Sequence, residues 1–488
     1  MSLLIKTISG VVKGKVDHGA RCWLGIPYAK AARFGLPEQP DAWEGVKDAL
    51  RYGPMCPQFF GTMAKADKID GPAVAEDCLR LNIWAPKEAQ SKPPKPVMIW
   101  IHGGAFMAGA SNSYEGYKYA AQHDIIVVTI NYRLGILGFV NFGEVLAEGE
   151  VPSNLGLRDQ IAAFEWVKNN IAAFGGDPER ITLAGESAGS LSVSLHMKNP
   201  ATWSLFQGAI MESGALSLVH DRERSKLVAR YYLEELNVST LEELKSLNIN
   251  ELLRAQKLVH KKVLGSLAAS PWFDDDMLPA SLPKAMAAKS NNVPLLAGYN
   301  KEEIRLFEKF KDTPILPVER DDLYRVSYNQ LDSSTATKIN NAYDNDTQGT
   351  RLFGSHLTFG MPTLNFAEKH SESSPTWFYR FDFENPLVGP THAVELAFLW
   401  PLRGLQGLML RGGFNIGKRK ELAQRMQTHW AHFVTHSKPL DCWPEYSKVH
   451  RNVCLFNSED RVVVDPDMQY REAWNGVSVY SIEPVKGL

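Results

Sequence analysis

Hydrophobic positions along the chain fall into two kinds of pattern that alternate. Val97-Met-Ile-Trp-Ile101 and Ile125–Ile130 are unbroken apolar runs of strand length, as expected for strands covered on both faces. Val293–Gly298 and the shorter run Ile181–Ala184 read the same way. Between Asp159 and Phe174, the residues Ile161, Phe164, Val167 and Ile171 recur at helical spacing, and Gly175-Gly176 stops that helix. Residues 222–262 and 418–436 read as helical, and a long, mainly helical stretch follows Val293–Gly298. Residues 5–28 alternate apolar and polar around glycines, which predicts antiparallel strands at a sheet edge. Leu79–Trp84 and Trp377–Phe383 are further strands, and Arg461–Val464 is the last edge strand. The prolines of Ser91–Pro96 make a connecting loop.

Buried strands alternating with amphipathic helices predict an α/β fold: a central, mostly parallel twisted sheet flanked by helices, with large helical insertions. No shift in composition and no internal repeat divides the chain, so residues 1–488 are read as one domain.

Composition supports a sizeable core, with 44% hydrophobic and 22% charged residues. A formal net charge of −2 with no basic block argues against nucleic acid and against an anionic membrane surface as partners. No apolar run approaches the length of a spanning helix. The opening Met1–Lys6 is too short in its apolar part for a secretory signal, so a cytoplasmic location is expected, with secretion of a processed form left open. The sequons at Asn237 and Asn345 carry no weight in that setting. The five cysteines, Cys22, Cys56, Cys78, Cys442 and Cys454, include no C-x-x-C pair, which argues against a disulfide scaffold, a thiol redox motif and structural zinc.

Candidate chemistry centres on Arg180–Ser190. A short apolar run leads into Gly185-Glu-Ser-Ala-Gly189, and Ser190–His196 reads as the start of a helix. A serine flanked at two residues on each side by glycine is what a tight strand-to-helix elbow requires, because side chains at the flanking positions would meet neighbouring backbone. The turn lifts the Ser187 hydroxyl clear of the sheet and aims the Ala188 amide where an oxyanion would form. A serine hydroxyl needs a base within hydrogen-bond reach, itself oriented by a carboxylate. In sheets with this elbow the acid and then the histidine follow from later strands. The loop after Val293–Gly298 offers Glu302 and Glu303 as the acid, and the loop after Trp377–Phe383 offers His392. Gly103 and Gly104, after the run 97–101, let backbone amides approach a substrate and join Ala188 as oxyanion donors. His429, His432 and His436 have a spacing compatible with a metal, but no carboxylate completes an H-E-x-x-H arrangement and their neighbours suggest ordinary packing. Neither a metal nor an organic cofactor is expected.

With these residues placed, the chain resembles the type-B carboxylesterases, the carboxylesterase/cholinesterase branch of the α/β-hydrolases. The resemblance runs through Gly25-Ile-Pro-Tyr28, Glu76-Asp-Cys-Leu-Arg-Leu-Asn82, His102-Gly-Gly-Ala-Phe106 and Asn131-Tyr-Arg-Leu-Gly135. It continues through Asn154–Gln160, Phe174-Gly-Gly-Asp-Pro178 and Gly185–Ser190. It implies the α/β-hydrolase fold, Ser187 as nucleophile, Glu303 as acid, His392 as base, and Gly103, Gly104 and Ala188 as the oxyanion hole. It also implies structural ion pairs Arg33–Glu76 and Arg133–Asp159, and a bridge between Cys56 and Cys78. Closing that loop would contribute about 3 kcal/mol, whereas a cytosolic setting keeps thiols reduced, so both states stay open.

Departures from the family pattern are specific. Ile304 stands where a glycine usually follows the acid, which keeps Glu302 in view as an alternative to Glu303. Ala29-Lys-Ala-Ala32 shortens the usual insertion before Arg33, and the stretch 56–78 holds Phe59 and Phe60 but no tryptophan, which disfavours a cholinesterase. Candidate pocket residues are Phe106, Glu186, Phe59 and Phe60, with Trp272, Phe307, Phe353 and Trp400 as further aromatics. The expected function is hydrolysis of small carboxylic esters through an acyl-enzyme by a monomer or weak homo-oligomer. A lipase or amidase on the same fold, or a non-catalytic binding protein of the family, are the alternatives.

Overall fold

The computed structural model describes residues 3–58, 73–89, 93–146, 151–263, 267–310, 316–385, 387–401 and 416–477. Its strands, in chain order, are β1 (Leu4–Thr7), β2 (Gly10–Lys13), β3 (Lys15–Asp17), β4 (Ala20–Pro27), β5 (Val46–Asp48), β6 (Arg80–Ala85) and β7 (Lys95–Ile101). They continue with β8 (Ile126–Ile130), β9 (Gly176–Glu186), β10 (Gly208–Glu212), β11 (Leu295–Asn300), β12 (Thr376–Phe381), β13 (Asn452–Phe456) and β14 (Arg461–Val464). β1, β2 and β5 form a small sheet, and the other eleven strands form the central one in the order β14-β13-β12-β11-β10-β9-β7-β8-β6-β4-β3. The seven strands from β13 through β8 in that order run parallel. The edges are antiparallel, with β14 on one side and β6, β4 and β3 on the other.

Every residue of β7 is buried, and its side chains alternate between two separate cores. Val97, Ile99 and Ile101 face one, Met98 and Trp100 the other. A period of two is therefore invisible in the sequence, because both faces are covered. The helices Leu155–Asn170 and Ala188–Lys198 close the first core with Phe164, Val167, Leu191 and Val193. The helices Tyr117–His123 and Ile416–His436 close the second with Tyr119, Met426 and Trp430. Truncating a side chain such as Trp430 to alanine would cost about 3–5 kcal/mol, since its ring is 1% exposed.

The structure shifts some expected boundaries. The strand read at 293–298 runs instead from Leu295 to Asn300, because Gly298 does not end it. That glycine pairs with Tyr379 of β12, and a Cβ there would strike the Tyr379 ring, so its role is close approach rather than a turn. Only β3 and β4 of the N-terminal strands join the central edge, while β1 and β2 pair apart from it. Residues 222–262 are the helices Arg222–Leu236, Leu241–Ser246 and Ile249–Lys262, the last two opened by capping boxes at Thr240/Glu243 and Asn248/Glu251. Among the described residues, no helix is long and apolar enough to cross a membrane.

Candidate active site

β9 ends at Glu186 and the helix Ala188–Lys198 begins at once, leaving Ser187 as the turn between them. Its backbone sits at φ 56°, ψ −121°, a conformation that costs a non-glycine residue of order 1–3 kcal/mol. Two hydrogen bonds hold it there: Ser187 N–H donates to the Glu212 carbonyl at 2.9 Å, and Leu191 N–H to the Ser187 carbonyl at 2.9 Å. A Cβ on Gly189 would strike the Ile101 carbonyl, and one on Gly185 would lie 2.5 Å from the Gly189 carbonyl carbon. The two flanking glycines are thus required by backbone proximity, as the spacing predicts.

Glu303 opens the 3-10 helix Glu303–Phe310 just after β11, and His392 lies in the loop after β12. His392 Nδ1 is 2.7 Å from Glu303 Oε2, and both side chains are buried. Asn300, the last residue of β11, organises this pair. Its backbone N–H donates to Glu303 Oε1 at 2.7 Å, and its side-chain amide donates to the Thr391 carbonyl at 2.9 Å and to Glu395 Oε2. Glu302 points elsewhere, to Arg305 at 3.0 Å and to Gln348 Nε2 at 2.9 Å. Ile304 is accommodated because Gly354 faces it: a Cβ at Gly354 would come 3.0 Å from Ile304 Cγ1.

The second imidazole nitrogen, His392 Nε2, stands 3.2 Å from Glu186 Oε1. Phe359 stacks on the ring at 4.4 Å between centroids and 28° between planes, with Phe307 at 5.3 Å. Glu186 belongs to a group of buried carboxylates that also includes Glu212 and Glu395. Burial, and then the neighbouring Glu303 and Glu212, push the Glu186 carboxyl well above the usual range. Burial and the other three glutamates do the same to Glu395. Glu212 is pushed up to about 8 by burial, although Trp430 Nε1–H donates to its Oε1 at 2.7 Å.

Gly103 packs directly against this centre. A Cβ there would come 2.8 Å from Glu186 Oε2 and 3.0 Å from Ser187 Cβ. Gly104 has φ +115°, which a side-chain-bearing residue rarely adopts. The loop is braced from below: His102 Nδ1–H donates to the Gly103 carbonyl at 2.8 Å, and Tyr132 stacks on His102 at 4.5 Å while its hydroxyl donates to the His102 carbonyl at 2.7 Å. Burial pushes His102 down to about 4, so it is a neutral brace. Ala188 is the first residue of its helix, where the backbone N–H has no intrahelical acceptor and the helix dipole is positive.

The other candidates from the sequence fall in varied places. Phe307 faces His392, whereas Phe106 packs on Phe139 at 4.7 Å and Phe353 on Tyr343 at 5.1 Å. Trp400 packs on Trp100 at 4.8 Å, and Trp272 lies beside Arg222 at 5.9 Å. Phe59 and Phe60 lie outside the described residues. Both expected ion pairs are formed. Arg133 grips Asp159 through Nε at 2.8 Å and Nη2 at 2.6 Å, and Arg33 grips Glu76 through Nε at 2.8 Å and through Nη2. The two cysteines of the implied bridge, Cys56 and Cys78, are buried side by side as thiols. The Cys78 thiol is held well above its ordinary pKa by its hydrogen bond to Cys56 and by burial. His429 is buried against Trp443 at 5.4 Å, and among the described residues no group of three potential ligands could hold a metal.

Phe359, Glu212, Glu395 and Asn300 were not singled out by the sequence reading. Glu212 and Asn300 each end a buried strand, and Glu395 follows His392 by three positions, which is the signal that would have found them.

Comparison with known proteins gives a consistent outcome. The model of the carboxylesterase family matches residues 2–473. The para-nitrobenzyl esterase of Bacillus subtilis is 35% identical, covering 96% of this chain and 98% of that protein. An acylcarnitine hydrolase of Mus musculus is 33% identical, covering 90% of this chain and 84% of that protein. Among solved structures, a thermophilic PNB esterase superposes with a TM-score of 0.87 at 35% identity, covering 97% of this chain and 100% of that one. A carboxylesterase of Geobacillus stearothermophilus gives 0.80 at 32% identity, covering 97% of this chain and 100% of that one.

Proposed function

The chain belongs to the carboxylesterase family and is a carboxylic ester hydrolase, and we propose that it cleaves small esters through an acyl-enzyme on Ser187. His392 Nε2 takes the Ser187 proton as Oγ attacks the ester carbonyl. Glu303 receives the Nδ1–H, holds the tautomer and offsets the charge of the imidazolium that forms. The amides of Gly103, Gly104 and Ala188 donate to the oxyanion of the tetrahedral intermediate. His392 then protonates the leaving alcohol, and water repeats the sequence on the acyl-enzyme to release the acid.

The observation that carries this reading is the buried contact of 2.7 Å between His392 Nδ1 and Glu303 Oε2, at the same carboxyl edge of the parallel strands as the Ser187 turn. His392 Nε2 lies 3.2 Å from Glu186 Oε1, and hydrogen bonds of the catalytic kind often tighten only once substrate is bound. The test is Ser187→Ala. The purified variant should keep its fold by circular dichroism and lose at least ~10³-fold in kcat on p-nitrophenyl acetate. A variant that turned over this ester with saturation kinetics near those of the parent would overturn the assignment.

A further inference from the structure

The helix that follows Thr347 carries one irregular turn. Thr347–Ser355 and Met361–His370 are α-helical, and His356–Gly360 between them is a turn of π-helix. Pro362 explains it. Proline has no N–H to offer the Thr358 carbonyl four residues back, and its ring crowds that carbonyl, so the helix widens there. One residue inserted in a turn rotates the following side chains by about 100° around the axis. Phe359 sits within this turn, and its ring lies on the His392 imidazole.

The same turn is anchored at its first residue. Trp474 Nε1–H donates to Tyr343 Oη at 2.7 Å, and Tyr343 O–H donates to His356 Nδ1 at 2.9 Å. His356 Nε2 meets Tyr299 Oη at 3.4 Å, and Tyr299 O–H donates to Asp467, which Arg380 also binds. Every donor in this chain points the same way when His356 is neutral and carries its proton on Nε2. Burial pushes His356 down to about 4, which keeps it neutral. Gly360 completes the fit: a Cβ there would come 3.0 Å from both the Tyr299 ring and the His356 ring.

We propose that Phe359 is a positioning residue for the general base, laid on the imidazole by the π-helical turn that the Trp474–Tyr343–His356–Tyr299–Asp467 chain holds in place. The proposal rests on the reading of His392 as base. An imidazole tied to Glu303 at one nitrogen still swings about that bond, and a ring stacked on its face removes the swing. Because the base serves both acylation and deacylation, its misplacement slows both steps for every ester alike.

Phe359→Leu tests this on p-nitrophenyl acetate and p-nitrophenyl butyrate, with Phe359→Tyr as the conservative variant and His392→Gln as the control. Expected for Phe359→Leu is a fall in kcat of about tenfold on both esters, with KM within about twofold and most of the rate restored in Phe359→Tyr. A folded Phe359→Leu with unchanged kcat, or a loss that appears in KM or differs between the two esters, would make Phe359 a packing or pocket residue and overturn the proposal. If Phe359→Leu does not fold, Tyr343→Phe decides: it removes the hydroxyl that bonds both His356 and Trp474 and so cuts the hydrogen-bonded chain, and a fall in kcat on both esters supports the proposal while an unchanged kcat overturns it. His392→Gln separates the two readings, since high residual activity there would remove His392 as base whatever the Phe359 variants show.

Discussion

Glu186 Oε1 stands 3.2 Å from His392 Nε2, at the ring nitrogen that Glu303 leaves free. Burial, and then the neighbouring Glu303 and Glu212, raise the Glu186 carboxyl well above its ordinary range, which favours its neutral form beside that nitrogen. Lying 3.2 Å from the nitrogen that Ser187 must use, it flanks the imidazole and has no proton to move in the proposed mechanism. Glu186→Gln, which keeps a neutral donor of the same shape, should lower kcat/KM by less than about tenfold, short of the ~10²–10⁴-fold that removing a true proton-transfer group costs. Steady-state kinetics on p-nitrophenyl acetate would decide, and a loss as large as that of Ser187→Ala would mean that the Glu186 carboxyl itself is needed.

The buried carboxyls make stability depend on pH in an unusual direction. Glu212, Glu186 and Glu395 have folded pKa values raised above the unfolded ones, with Glu212 at about 8 against an ordinary 4.5. Folding therefore takes up protons between those values. The stability they contribute is fully present below the ordinary carboxylate pKa and is lost as pH rises through the folded pKa. Glu212→Gln removes one of these titrations and keeps an oxygen for Trp430 Nε1–H. It should be worth on the order of 2–4 kcal/mol at about pH 9 and little at about pH 5. Melting temperatures of parent and variant across that range should converge at the acid end and separate at the alkaline end. Parallel curves would show that Glu212 titrates normally.

Neighbouring glutamates offer a direct contrast. Glu303 touches His392, while Glu302 is tied to Arg305 and Gln348. Glu303→Gln should lower kcat by ~10³–10⁴-fold, since the amide favours the wrong imidazole tautomer and carries no charge to offset the imidazolium. Glu302→Gln should stay within about threefold, because that carboxylate meets no charge developing in the transition state. The reverse ranking in an ester assay would exchange their roles.

The two ion pairs should differ in weight. Arg133 and Asp159 have side chains 5% and 0% exposed, and Arg133 also donates to the Gly35 carbonyl at 2.7 Å. Asp159→Asn leaves that guanidinium without its counter-charge, at a cost of about 3–5 kcal/mol. Arg33 and Glu76 are 19% and 33% exposed, so Glu76→Gln should cost about 1 kcal/mol or less. Thermal melts at one pH and salt concentration should place Asp159→Asn well below Glu76→Gln, and equal melting temperatures would refute the ranking.

The parts of the fold legible in the sequence were those set by burial and by local stereochemistry. Val97–Ile101 and Ile126–Ile130 had to be central strands, and Gly185 and Gly189 had to flank a tight elbow, because no neighbour elsewhere changes those demands. Strand order offers Ser187, His392 and either Glu302 or Glu303, the family resemblance favours Glu303, and the side-chain directions agree with that choice, Glu303 meeting His392 and Glu302 meeting Arg305. Gly298 misled the reading, since its absent side chain answers to Tyr379, a residue 81 positions later on the neighbouring strand. Phe359 stayed hidden for a similar reason: a single proline three positions on widens its helix and redirects its ring. Cys56 and Cys78 do lie together, but proximity in the fold does not set their oxidation state.

The parallel strands β9, β10, β11 and β12 lie side by side, and long connections leave from the carboxyl ends of β10 and β11 before the chain returns to the sheet. Glu303 sits at the root of the second connection, Ser187 follows β9 and His392 follows β12, and Asn300, Glu212 and the elbow glycines hold the backbone there. The connection between β10 and β11 can therefore lengthen, shorten or be exchanged without disturbing the register of the strands beneath it, whereas the one between β11 and β12 carries Phe359 onto His392. Such a molecule is a fixed reaction stage with replaceable scenery. New ester preferences should arise most readily by grafting segments between β10 and β11, with the stage itself left untouched.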